Sequence, residues 1–82
     1  MDRLEYIISE VDKLKFKHFC KISLIINEGC ILIMYEDDLK SNDEFYKDVT
    51  KAIESIKRKF DNNFAFFAES DLEMLYREGL II

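Results

Sequence analysis

His18 and Cys20 stand two residues apart, the one histidine of an 82-residue chain beside one of its two cysteines. On a strand that spacing places both side chains on one face. An imidazole beside a thiol is the pairing that nucleophilic catalysis uses. A dyad from adjacent same-face positions is a weak signal, and a structural histidine at a sheet end is the reading it supports. Two Cys and one His also fall short of the usual zinc-site spacings. No catalytic residue, metal or cofactor is therefore expected, and the chain does not read as an enzyme.

The second group with chemical content is an acidic block: Glu36, Asp37, Asp38, Asp43, Glu44 and Asp48. Its spacing does not match the D-x-[DN]-x-[DN]-G calcium loop, and no glycine supplies the turn. Two readings remain. The carboxylates end a strand and open a helix, where acids favour the dipole, or they engage a basic surface on a partner. The net charge is −5, and residues 36–48 contribute −4 of it, from 2 basic and 6 acidic side chains. Such a surface repels nucleic acid and attracts basic protein surfaces. Lys57-Arg58-Lys59 near Phe64, Phe66 and Phe67 resembles basic groups beside stacking aromatics. The overall acidity argues against direct nucleic-acid binding, because phosphate contacts dominate that affinity.

These groups must be held by elements that the hydropathy pattern predicts. Leu4, Ile7, Ile8, Val11 and Leu14 recur at helical spacing, predicting a helix over about residues 2–15. From Phe16 the period changes to two. Residues 20–36 read as a hairpin around Asn27-Glu28-Gly29, with Gly29 filling a left-handed position in a three-residue loop. That register sets Ile26 opposite Cys30, Leu24 opposite Leu32 and Ile22 opposite Met34, and makes those six residues the core face. The other face carries Phe19, Ile25, Ile31, Ile33 and Tyr35. A one-residue slip would exchange the faces. Cys20 and Cys30 would lie about 20 Å apart, too far for a disulfide, which needs Cα atoms within ~7 Å.

Ser41-Asn42-Asp43-Glu44 has a capping-box pattern. It opens a helix over about residues 42–60 whose stripe is Phe45, Val49, Ala52, Ile53, Ile56 and Phe60. Asp61-Asn62-Asn63 ends it, and residues 64–69 read as a third strand. Ser70-Asp71-Leu72-Glu73 is a second capping box, opening a short helix to about Glu78 with Leu72, Leu75 and Tyr76 inward. Leu80, Ile81 and Ile82 are expected to dock. The fold class is thus α+β: one small domain over residues 1–82, of order α-β-β-α-β-α, with a three-stranded, mostly antiparallel sheet packed by helices.

The longest apolar run, Ile31 to Tyr35, is too short to span a membrane. The N-terminus lacks a signal-peptide pattern, and a cytoplasmic location is expected. Eleven Ile, nine Lys against three Arg, and three Ala suggest an AT-rich genome. By analogy with small acidic proteins of phages and mobile elements, the expected function is an inhibitor or adaptor acting by steric occlusion. Its expected target is a host nucleic-acid-handling or defence enzyme with a basic surface. The expected contact residues are Glu36, Asp37, Asp38, Asp43, Glu44, Tyr46, Asp48, Phe19, Ile31, Ile33 and Tyr35. Tyr46, off the apolar stripe of its helix, is the aromatic anchor. The alternative is a homodimeric regulatory or structural protein, paired through the second sheet face or an open strand edge.

Overall fold

The computed structural model describes residues 2–61 and 63–79. Among these, α1 (Arg3–His18), β1 (Ile22–Asn27), β2 (Cys30–Tyr35), α2 (Asp43–Lys59), β3 (Phe64–Ala68) and α3 (Leu72–Arg77) follow in turn. Two 3-10 turns, Asp37–Ser41 and Glu69–Asp71, lead into α2 and α3. The class is α+β, in the expected order. The sheet is mixed, in the order β1-β2-β3: β1 runs antiparallel to β2, and β3 lies parallel on the other side of β2.

Two corrections concern the hairpin and its approach. Helix α1 continues to His18, so Phe16, Lys17 and His18 are helical and not the start of a strand. The buried stripe Ile7, Val11, Leu14 extends one more turn to His18, whose side chain is 6% exposed. Lys15, Lys17 and His18 suit the negative end of the helix dipole. Phe19 then ends the helix in the left-handed region, at φ 50° and ψ 49°.

The hairpin loop has two residues, not three. Glu28 (φ 48°) and Gly29 (φ 84°) both take positive φ, as the primed turns that match strand twist require. Asn27 therefore pairs with Cys30, Ile26 with Ile31, Leu24 with Ile33 and Ile22 with Tyr35. Relative to the expected register, β2 turns over. Ile31 and Ile33 are buried in the main core, while Cys30, Leu32 and Met34 join the opposite face. Ile31 and Ile33 are thus withdrawn as partner contacts, and Cys30, Leu32 and Met34 as members of the main core. Ile26, expected inside, is 65% exposed at the sheet margin.

Helices α1 and α2 cover the main-core face. Their stripes Ile7, Val11, Leu14 and Phe45, Val49, Ala52, Ile56 meet Ile22, Ile31 and Ile33. Tyr6 hydroxyl bonds Ser55 Oγ, and Lys17 reaches Glu44 and Asp48, so the two helices lie side by side. The far flank of α2 lines a groove with Tyr35 of β2 and Phe66 of β3. Helix α2 thus sits over β2 and β3, which leaves α1 over β1. Arg3 closes the far end, bonding the Gly29 carbonyl at 2.8 Å and Asp61 at 3.0 Å. On the opposite face, Leu72 and Leu75 of α3 cover Leu32 and Phe67. The second face is therefore covered by α3, over its β2–β3 half. The tail at residues 80–82, expected to dock, lies outside the described residues.

The caps also differ from the capping-box reading. Asn42, not Ser41, caps α2, accepting from Phe45 N–H at 3.0 Å. Asp71 makes no side-chain cap on α3, and Tyr76 is exposed instead of inward. The expected box at Ser70 does not form, because Ser70 N–H donates to Asp37 Oδ1 at 2.9 Å and its hydroxyl meets Lys40.

Candidate functional site

The acidic block divides into four groups with different placements. Asp37 is spent inside the fold: the Ser70 backbone N–H it accepts holds its carboxyl below the usual range. Lys40 reinforces that junction, 2.7 Å from Ser70 Oγ and 3.4 Å from Asp71. Asp48 and Glu44 face α1. Asp48 Oδ2 accepts from Lys17 Nζ at 2.9 Å and His18 Nε2 at 2.8 Å. Lys17, then His18, lowers the Asp48 pKa, and Asp48 and Glu44 together raise that of Lys17. Glu36 borders a small recess with Lys21, Ser23, Met34 and Glu69. Asp38 and Asp43 are exposed, and among the described residues neither has an ion-pair partner.

Between α2 and the β2–β3 half of the sheet lies a groove of about 200 Å³. Leu39, Val49 and Ile53 form its aliphatic wall, and Tyr35, Phe45 and Phe66 its aromatic floor. Phe45 is fixed from both sides. His18 stands edge-on at 5.1 Å, and Tyr35 also meets it edge-on at 5.1 Å. Tyr46 stands on the rim, 69% exposed, with Lys40 and Thr50 beside it. Asp43 precedes Tyr46 by three residues on α2, so the two share a helix flank. Burial pushes the Tyr35 hydroxyl pKa up, keeping it a neutral donor. The ensemble is concave and aromatic-floored, and Lys40 is the one charged side chain among its lining residues. A groove of this shape suits an inserted side chain of a partner protein.

The eleven expected contact residues therefore scatter. Tyr46 and Tyr35 line this groove, while Asp38 and Asp43 are exposed, the first next to the lining residue Leu39 in the chain and the second one helical turn before Tyr46. Asp37, Glu44 and Asp48 hold the fold. Phe19 is 94% exposed at the end of α1 and is not among the residues that line the groove. Lys40, Ile53 and Phe66 also line the groove and were not among the expected contact residues. Their signal is tertiary, since the parallel placement of β3 beside β2 brings Phe66 to Tyr35. Phe16, 84% exposed, was missed for a local reason. The spacing Leu14 to His18 already extends the helix and puts Phe16 off its buried stripe.

His18 and Cys20 do not form a dyad. His18 Nε2 is engaged with Asp48, while Cys20 Sγ lies 4.0 Å from the Leu14 carbonyl. Burial raises the Cys20 thiol pKa, the direction opposite to an activated thiolate. Both cysteines are free thiols. No cluster of three or more His, Cys, Asp or Glu side chains able to hold a metal exists among the described residues. The basic run Lys57-Arg58-Lys59 forms the last turn of α2, with Lys59 5.0 Å from the Tyr6 ring centre. Phe64 and Phe66 face the helices and Phe67 is buried on the other face, so these three phenylalanines do not form an exposed stacking platform beside the run. No described helix is long and apolar enough to cross a membrane. A scan against protein-family models, a search of curated proteins and a search of solved structures each returned no match.

Proposed function

We propose that this protein is a small binding module, an inhibitor or adaptor that acts by occluding a basic surface on a protein partner. The observation that carries this reading is the exposed Tyr46 on the rim of the aromatic-floored groove, with the unpaired, exposed Asp38 and Asp43 close to its lining residues Leu39 and Tyr46 in the chain. An aromatic anchor in or beside a pocket supplies most of the affinity of a small interface. Carboxylates around it steer association and select the partner. A nucleic-acid-handling enzyme is the partner class of choice, because such enzymes present lysine and arginine along their working grooves. The mechanism needs no covalent step: the module covers the groove and leaves when the contact breaks.

Affinity capture from lysate of the cells that encode the protein tests this, run with wild type, Tyr46→Ala and the double reversal Asp38→Lys/Asp43→Lys. A single partner retained by wild type should be lost with Tyr46→Ala. The reversal should slow association and remove its salt dependence. Equal capture by all three proteins would sink the groove as the binding site.

A further inference from the structure

The flank of the molecule opposite the tyrosine groove carries an unusual combination of features. Ile8, Phe16, Phe19, Ile25 and Ile26 are five of the eight exposed large apolar side chains among the described residues, against Tyr46, Met74 and Tyr76 elsewhere. All five belong to α1, its cap or β1. On α1, Glu10, Lys13, Leu14 and Lys17 line the cleft with α2. At 100° per residue, Ile8, Asp12, Lys15, Phe16 and Phe19 fall on the flank turned away from α2. That is the side on which β1 presents its free edge. The two phenylalanines alone leave roughly 300–400 Å² of apolar surface in water, at the level of the largest patches on ordinary monomers.

Phe19 adds a second, independent observation. A helix that ends in the left-handed region ordinarily does so with glycine, because a side chain there is strained. Phe19 accepts that strain at φ 50° while 94% exposed, so its ring gains nothing within the monomer. Strain kept without local return points to a contact made elsewhere.

The free edge of β1 indicates what makes that contact. With a two-residue loop, the closing pair Asn27–Cys30 is the hydrogen-bonded kind, and the kinds alternate along the ladder. Ser23, Ile25 and Asn27 therefore bond to β2, while Ile22, Leu24 and Ile26 direct their N–H and C=O groups outward. The strand holds no proline and no charged residue, the features that natural edge strands use to stay single. Its only flanking charges are Lys21 before it and Glu28 after it.

We infer that the occupant is a second copy of this chain, joined by antiparallel β1–β1 pairing about a two-fold axis near Leu24. A two-fold normal to the sheet keeps both helical layers on one side, so residues paired across it must share a face. With Leu24 on the axis, Ile22 meets Ile26 of the other copy, and every outward backbone group from 22 to 26 is bonded. Ser23 then meets Ile25, and Lys21 comes within one position of Glu28, placing opposite charges together at both ends. A parallel pairing would set like against like. Above the strands, the two α1 helices run antiparallel. Their Ile8, Phe16 and Phe19 side chains close over Ile26, and the acidic first half of one flank (Glu5, Asp12) approaches Lys15 of the other. The result is a six-stranded sheet with an isologous interface, which leaves both tyrosine grooves on the outer edges.

Sedimentation equilibrium with amide hydrogen exchange tests this, on wild type, Ile26→Lys and Tyr46→Ala. Wild type at tens of micromolar should sediment at twice the 9.8 kDa chain mass. The amides of Ile22, Leu24 and Ile26 should exchange more slowly as concentration rises. Ile26→Lys, at an exposed position, should sediment as a folded monomer, and Tyr46→Ala should remain a dimer. A wild-type protein that stays monomeric at 100 µM would overturn the inference. So would a dimer that survives Ile26→Lys with no added protection at residues 22–26. Partner capture through the tyrosine groove reads out separately, so failure of one proposal leaves the other standing.

Discussion

The two flanks of the helical layer expose aromatic residues in opposite ways. On the α2 flank, Tyr46 borders a concavity, and its neighbours Tyr35, Phe45 and Phe66 are partly or wholly covered. On the α1 flank, the exposed Phe16 and Phe19 stand near β1, whose outward backbone groups have no partner among the described residues. The first flank offers a pocket and a polar handle, which a foreign side chain can enter. The second offers flat apolar area and an unfinished hydrogen-bond ladder, which an identical strand completes. Sequence alone treated both as one surface running from the hairpin into the acidic block; the fold places them on opposite sides of two helices.

The largest expected effect tests the register that separates the flanks. Ile33 has no exposed surface and sits between both helices and the sheet. Ile33→Ala should therefore cost about 2–5 kcal/mol of unfolding free energy, and both flanks should lose their function together. Ile26→Ala, at a 65% exposed position, should fall within about 0.5 kcal/mol of wild type when the protein is dilute. Urea unfolding of the two variants at low concentration checks this. Equal losses would restore the three-residue loop, in which Ile26 is core and Ile33 is not.

That pair also marks where the sequence is legible. The α2 stripe is unambiguous because Phe45, Val49, Ala52 and Ile56 repeat over about three turns, and all four are buried. The hairpin strands are apolar on both sides, so periodicity cannot choose a face, and the loop length alone decides it. Glu28 hid that length, since a glutamate with positive φ is uncommon and the sequence offered only Gly29 as a left-handed residue. The same blindness concealed Phe19: nothing in its side chain announces a left-handed helix cap. Acids have the converse problem. Asp37, Asp38 and Asp43 look alike in a charge count, and only the arrival of Ser70 from a distant turn separates the spent one from the free ones.

A smaller effect sharpens the contrast because it should have opposite signs in the two assays. Phe19→Gly relieves the left-handed strain and removes a side chain that packs on nothing in the monomer. The dilute protein should gain about 1 kcal/mol in unfolding free energy. Self-association should weaken by tenfold or more, because the most exposed ring of the proposed interface is gone. Thermal unfolding at low concentration and sedimentation at high concentration read the two quantities. A variant that is less stable when dilute would mean that the Phe19 ring supports the monomer. Phe19 would then have a structural reason to be where it is.

The smallest effect concerns the junction between the flanks. Asp48 ties the last turn of α1 to α2 through Lys17 and His18, and its pKa is lowered in the fold. A carboxyl with a folded-state pKa below its unfolded value of about 3.9 stabilises the protein above that value. The contribution disappears as the pH falls through the lowered folded value. Asp37 and Asp61 behave alike, lowered chiefly by backbone N–H donors from Ser70 and Asn63. Wild type should therefore lose melting temperature between pH 5 and pH 2, and Asp48→Asn should lose less over that range. Its own deficit should be present at pH 7 and vanish at the acid end, where wild-type Asp48 is protonated too. At neutral pH the loosened clamp should speed amide exchange at residues 16–19 more than around Tyr46. The groove residue Phe45 remains fixed by Tyr35, whereas the end of α1 has only Lys17 and His18 to hold it against α2. Equal acceleration on both flanks would show that they move as one unit, and that Asp48 does not hold the α1 end in particular.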